Sequence, residues 1–446
     1  MEMIERMRKR LWLLGMVGLV LVALLVACGS NYDPSQDGLV VIGSQGAGLL
    51  QTYSFTLSNG HISSIANSPY NTANESCVLP GLPTSIVMDP SGVYAYVILN
   101  ANNTCKGSVT GIQAFKLGSD GSVTAVGNII TDPNPVALSM DPAGKFLFVS
   151  EGVNTTSIAN AASLNTACTQ TVNQWGVCVY AIGSGASLSA VPQTFALPAP
   201  LQTPNIVSVA ASPTVFPSIG INGKQQAVCS APGENPPTAE YLYAVDAQNY
   251  VVWEFSLDQS TGALTSLQAL PANLPVPTDQ VPAGIAVDPC DRFVYVSNSL
   301  TNKVSEYTIC NGSVTQSSAC VSQLLPGSLV PVAGSPVSLS GSVQGVGPIV
   351  VDPYGNNVYV VGTFSNTVSA LKISPVSGSL TALTPPTVAT GLRPTSIVIR
   401  GDDNWMFVTD FNQAEVSQYS ITPATGALTA VIPIQTDNYP WGVAVK

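Results

Sequence analysis

The sequence predicts an all-β fold: a seven-bladed β-propeller of four-stranded antiparallel blades. Three observations predict it. First, a unit of four short strands, clearest over 346–385, recurs along the chain at roughly 50-residue spacing, the period of propeller repeats. Second, the same turn chemistry follows the first strand of successive units. Asp89-Pro90-Ser91-Gly92, Asp141-Pro142-Ala143-Gly144 and Asp352-Pro353-Tyr354-Gly355 place Asp, Pro and Gly where a type I turn prefers them. Third, the N-terminal copy lacks a first strand, while Pro440-Trp441-Gly442-Val443-Ala444-Val445 reads as a first strand with nothing after it. Joined, the two complete a blade and close the ring, which removes exposed strand edges.

Met1 to Ala27 reads as a targeting segment. Arg6, Arg8, Lys9 and Arg10 precede the apolar run Leu11 to Val26, which is shorter than the roughly 20 residues a membrane span needs. Leu25-Val26-Ala27-Cys28 resembles the bacterial lipoprotein cleavage box. That resemblance implies cleavage before Cys28 and acylation of its thiol and new amine. Gly29, in place of Asp, resembles the outer-membrane class. The expected location is therefore the cell envelope, with a lipid anchor as the membrane attachment, on the outer membrane facing periplasm or exterior. Residues 28–38 read as a flexible tether and 39–446 as the propeller.

The copies follow in order. Leu39 to Gly43, Leu49 to Leu57 and His61 to Ala66 match the second, third and fourth strands of the unit. The second copy runs from Pro83 to Val126 and is complete. The third starts at Pro135 and carries an insertion, Gly152 to Trp175, before Val177 to Ile182. The fourth starts near Asn205 and holds a Pro/Gly-rich insertion, Thr214 to Thr238. The fifth starts at Pro282 and turns at Asp288-Pro289-Cys290-Asp291. The sixth is the unit described first. The seventh starts at Pro394 and turns loosely at Gly401 to Asn404. Blades pack on both faces, so strands apolar on both sides are expected.

Tyr295-Val296-Ser297-Asn298 and Phe407-Val408-Thr409-Asp410 resemble the Tyr-Val-Thr-Asn repeat. With the Asp-Pro-x-Gly turns, the chain from residue 39 onward resembles the lactonase-like seven-bladed propeller family. That family includes 6-phosphogluconolactonase and carboxymuconate cyclase. The resemblance implies a binding site at the upper mouth of the central channel. "Upper" denotes the face that carries the second-to-third strand loops and the connections between blades. The first-to-second and third-to-fourth turns lie on the lower face.

Composition narrows the partners. A net charge of −11 excludes a phosphate-backbone partner, which needs a basic face, so no nucleic acid is expected. Charged residues make up only 9%, and Thr, Ser, Asn and Gly carry the polarity. Beyond Cys28, eight cysteines remain, an even number in an exported chain, so disulfides are expected. Topology pairs Cys77 with Cys105 and Cys168 with Cys178 in upper loops. On the lower face it pairs Cys229 with Cys290 and Cys310 with Cys320, with Cys290–Cys310 as an alternative. The spacings do not resemble zinc clusters and no His lies near, so neither a metal nor a cofactor is expected.

The upper loops carry Glu75, Asp132, Glu151, Asp279, Asp410 and Asp437, with Arg393 as the clear cation. Trp441, which begins the closing strand, and Trp175, in the third blade's upper insertion, are candidate aromatic platforms, and Asp437 is a further ligand-face candidate. Such a face suits an unidentified protein, a glycan or a small polar ligand. Catalysis of lactone opening needs a base for water and a donor for the oxyanion. The single histidine, His61, falls on the outer rim near the lower face, and no nucleophile elbow or His-Glu-x-x-His appears. The family's His and multiple Arg have no counterpart here. Arg393 with Glu151 or Asp410 is the remaining catalytic candidate. The expected function is an envelope-anchored, non-catalytic binding scaffold, with a divergent sugar lactonase as the alternative.

Overall fold

The computed structural model describes residues 37–46, 48–65, 68–70, 81–101, 110–132, 134–152, 176–193, 205–212, 240–267, 275–310, 320 and 324–446. They form seven antiparallel sheets arranged as a ring. Blade two is Leu82–Met88, Tyr94–Asn100, Gly111–Leu117 and Val123–Thr131, paired in chain order from the channel outward. Blade three begins at Pro135–Met140, blade four at Ile206–Ser212, blade five at Pro282–Val287, blade six at Val346–Val351 and blade seven at Pro394–Ile399. Blade one combines Asp37–Ser44, Leu49–Thr56 and Ile62–Ser64 with the C-terminal strand Pro440–Val445. Val40 pairs with Val445 and Ile42 with Val443, so the last strand closes the ring as the sequence predicts.

Both faces of each strand are buried because alternate residues serve different neighbours. Leu39 and Val41 pack with blade two; Val40 and Ile42 pack with blade seven. The same division repeats at every junction, giving seven apolar clusters, one between each pair of adjacent blades. The repeat tyrosine adds a polar tie between blades. The Tyr243, Tyr295 and Tyr359 hydroxyls donate to the carbonyls of Gly327, Gly378 and Gly426 in the next blade, at 2.8, 2.9 and 2.8 Å. Each phenol is buried and therefore needs a partner.

The lower turns form as their residues predict. The Gly92, Gly144 and Gly355 amides donate to the carbonyls of Asp89, Asp141 and Asp352 at 2.8–3.0 Å. All three glycines have φ between 63° and 66°, where a Cβ is unfavourable. Blade seven also makes this turn tightly, from Arg400 to Asp403 (Asp403 N–H to Arg400 C=O, 2.9 Å), in place of the loose turn over 401–404. Short additional strands, Val276–Pro277, Val337–Ser338 and Ile434–Gln435, pair with the third strands of blades four, five and seven. In blade six the fourth strand itself runs on to Ala389.

Cys310 and Cys320 form the expected disulfide on the lower face, with Cα atoms 5.4 Å apart. This excludes a Cys290–Cys310 bridge. Cys178 and Cys290 are also disulfide-bonded. The partners foreseen for them, Cys168 and Cys229, lie outside the described residues, as do Cys28, Cys77, Cys105, Glu75, Trp175 and residues 1–36.

Candidate functional site

The upper face is organised by a connector that enters three of the blades. Thr278-Asp279-Gln280-Val281-Pro282, Thr390-Gly391-Leu392-Arg393-Pro394 and Thr436-Asp437-Asn438-Tyr439-Pro440 each lead into an inner strand. In each, the Thr hydroxyl donates to the carbonyl of the next residue at 2.8–2.9 Å. The residue before the Pro is left-handed: Val281 at φ 53°, Arg393 at 56° and Tyr439 at 60°. Such a conformation costs a non-glycine residue about 1–2 kcal/mol. It persists because the carbonyl is clamped from across the blade. The Ser299, Phe411 and Gln45 amides donate to the carbonyls of Val281, Arg393 and Tyr439 at 2.8, 3.1 and 2.9 Å.

Two of these strained positions meet in one cluster. The Arg393 guanidinium lies 5.1 Å from the centre of the Phe411 ring. Tyr439 tilts against the same ring at 5.0 Å, and Trp441 meets it edge-on at 5.1 Å. Arg393 is exposed and Tyr439 is 48% exposed. Among the described residues Arg393 forms no ion pair. The cluster therefore presents π faces and a cation to solvent, a surface that can stack on the C–H face of a sugar ring or on another ring. Leu392 and Phe364, 51% and 73% exposed, extend it along the upper rim of blades six and seven.

The carboxylates are placed differently. Asp410 is fully buried at the end of its strand, where it accepts from the Ser417 amide (3.0 Å) and hydroxyl (2.7 Å). Gly391 packs so closely that a Cβ there would stand 2.7 Å from the Asp410 carboxyl carbon. Burial pushes Asp410 up to about 7, against the Ser417 bonds that pull it down. Asp437 donates its amide to Gln51 Oε1 at 2.9 Å. Asp279 pairs with Lys303 at 3.3 Å.

Glu151 lies on blade three beside Asp132. Ligand atoms of Asp132, Glu151 and Cys178 fall within 4.8 Å of one another, but Cys178 is in a disulfide and offers no thiolate. The Tyr180 hydroxyl donates to Asp132 Oδ2 at 3.2 Å. Burial, then the charge of Asp132, holds Glu151 well above the usual carboxylate range, and burial raises Asp132 as well. Burial thus disfavours the charged form at both positions. The structure does not bring Arg393 into an ion pair with this pair or with Asp410. His61 is exposed, in the lower turn of blade one, with its amide bonded to Asn59.

The central channel contributes a cavity of about 210 Å³, lined by Met88, Leu138, Met140, Val287 and Val351 among others. Its walls are mainly apolar, with Ser139 and Asp141 among the lining residues. Phe411 and Tyr439 were not singled out by sequence. The signal that points to Tyr439 is the recurring Thr-x-x-x-Pro connector.

Ring and blades together define a seven-bladed β-propeller. Comparison with known families agrees. The family described as "Lactonase, 7-bladed beta-propeller" matches residues 234–323 and 329–441, just under half of the 446 residues. The chain is a seven-bladed β-propeller, and its C-terminal half resembles the lactonase-type propeller family. Among solved structures it is similar to a candidate 6-phosphogluconolactonase from Bacteroides fragilis. The identity is 15% and the TM-score 0.61, over 94% of this chain and 100% of that one. It is also similar to the periplasmic gluconolactonase of Pseudomonas aeruginosa. There the identity is 17% and the TM-score 0.61, over 92% of this chain and 99% of that one. At such identities the likeness is one of fold. No curated protein matches the sequence.

Proposed function

We propose that this protein is an envelope-anchored binding propeller, tethered through acylated Cys28, whose upper face holds a glycan or protein partner without transforming it. The observation that carries this reading is the partly exposed Arg393–Phe411–Tyr439–Trp441 cluster. Aromatic faces with one cation suit a glycan. The candidate carboxylates do not join that cluster: Asp410 is sealed and Glu151 sits on another blade. The test combines a glycan array with a lactone assay on the purified chain. Binding lost in Trp441→Ala and Tyr439→Ala, with hydrolysis of glucono-1,5-lactone at the buffer rate, supports the scaffold. Hydrolysis well above that rate overturns it.

A second reading, a divergent sugar lactonase, is favoured by the family match and by the adjacent Asp132 and Glu151 carboxyls. In that reading Glu151 is the acid–base group. Activity that disappears in Glu151→Gln and survives Trp441→Ala selects it.

A further inference from the structure

At the lower face, the fourth residue of each first turn lies against the turn of the preceding blade. A Cβ on Gly355 would stand 2.1 Å from Asp288 Oδ1, and one on Gly144 2.8 Å from Pro90. Each junction satisfies its polar groups in its own way. Between blades five and six, Arg292 holds the buried Asp288 with two bonds, at 2.7 and 2.9 Å, and reaches Gly355 O at 3.0 Å. Between blades four and five, the Ser212 hydroxyl donates to Asp291.

The junction of blades six and seven departs from this pattern. Asp403 stands where other blades have Gly92, Gly144 and Gly355, with φ 57°. Asn357 begins its strand where blades three, five and seven have Phe146, Phe293 and Trp405. Asp352 is the turn acid. All three side chains are fully buried. Asp352 accepts from the Asn356 amide (2.7 Å) and the Asn357 side chain (2.5 Å). Both Asp403 oxygens and Asn357 Oδ1 have no hydrogen-bond partner among the described residues. The residue matching Arg292 is Asn356, so no guanidinium holds Asp352, and Lys372 acts on both acids without an ion pair among the described residues. A fold that needed only the repeat would not bury these oxygens, because each unpaired polar group costs about 1–3 kcal/mol.

We propose that Asp352, Asp403 and Asn357 form a site for a hard divalent cation of the calcium type, held between blades six and seven at the lower face. Carboxylate and amide oxygens are the ligands such a cation takes, with backbone carbonyls and water completing the shell. Neighbouring charges are mixed. Lys372 lowers the affinity of both acids for protons, Asp402 raises that of Asp403, and the Tyr354 and Tyr359 phenols stand nearby. Without a cation, burial and Asp352 push Asp403 up to about 8, so a proton is the competing occupant at neutral pH.

The experiment is a calorimetric titration of the full chain with calcium chloride after dialysis against EGTA, with magnesium chloride alongside, followed by thermal unfolding. Saturable calcium binding and a rise in melting temperature that EGTA reverses are expected. Both should be lost in Asp403→Gly, which restores the residue other blades carry in that conformation. Asn357→Phe, the residue of blades three and five, is the second variant should the first not fold. A chain indifferent to calcium, or a calcium effect that survives both substitutions, overturns the proposal. An indifferent chain that Asp403→Gly stabilises marks Asp403 as a protonated buried acid only.

Discussion

The two faces of the ring spend their residues differently. Lower-face polar groups are mostly turned inward: Asp288 with Arg292, Ser212 with Asp291, Tyr295 with Gly378 O. The upper face leaves large apolar and aromatic side chains in solvent, among them Leu300, Phe364, Leu392 and Tyr439. It also holds Val281, Arg393 and Tyr439 in left-handed backbone that glycine would occupy without strain. Left-handed backbone occurs on both faces, at Asp291 and Asp403 below as well as at these three above, so what distinguishes the faces is the exposed aromatic and apolar surface of the upper one.

The largest expected effect breaks both faces at once. Deleting residues 440–446 removes the inner strand of blade one and the buried Val443 and Val445. Each buried Val stabilises by about 1.5–3 kcal/mol, and the exposed inner edge adds unpaired backbone. The truncated chain should melt far lower or aggregate in differential scanning calorimetry; unchanged melting would place closure elsewhere.

Next comes a lower-face variant. Arg292→Ala strands the fully buried Asp288 and should cost about 3–5 kcal/mol in denaturant unfolding. Upper-face ligand binding should be retained by the folded fraction. Equal loss of binding and stability would dissolve the distinction between the faces.

A smaller effect follows from pH. Burial raises Asp291 and Asp403 to about 8. A carboxyl raised on folding contributes stability that is complete below the unfolded carboxylate range and is lost as pH rises through the folded value. The melting temperature should therefore fall as pH climbs from about 5 to about 8. Asp291→Gly should flatten that slope. A slope unaltered by this change would assign the pH dependence to other groups, with Glu254, also raised to about 8 by burial, as the next to test.

The smallest effect on stability belongs to Arg393→Gly. Glycine relieves a left-handed backbone, so stability should hold or rise by less than about 1 kcal/mol. Ligand binding should nevertheless weaken, because the cation over Phe411 is gone.

Much of the fold was legible because its signals are local. Asp-Pro-x-Gly turns and the tyrosine of the repeat act within a few residues of where they are written. The tight turn of blade seven was less legible because Arg400-Gly401-Asp402-Asp403 carries neither the Pro nor the final Gly. Two-residue strands such as Ile434–Gln435 have no periodicity to read. The candidate site was legible in part. Arg393 and Trp441 stand out by residue type, but their meeting at Phe411 exists only once the ring has closed. Asp410 and Phe411 are adjacent in sequence, yet one is sealed under Gly391 and the other supports a partly exposed stack. Side-chain direction at the end of a strand decides that, and composition does not record it.

The pairing of Asp37–Ser44 with Pro440–Val445 has a kinetic consequence. The two partners are separated by nearly the whole ring, so their contact has the longest loop to close and is the last to become possible during synthesis. Until then the N-terminal blade has an open inner edge, and its neighbour on one side has not yet been made. Five junctions can mature while the chain lengthens; the two that flank the N-terminal blade, which take Ala444 on one side and Val443 and Val445 on the other, cannot. A nascent propeller of this design thus carries an unpaired strand edge until Pro440–Val445 docks. Quality control that reads one unpaired edge would monitor closure of the whole ring.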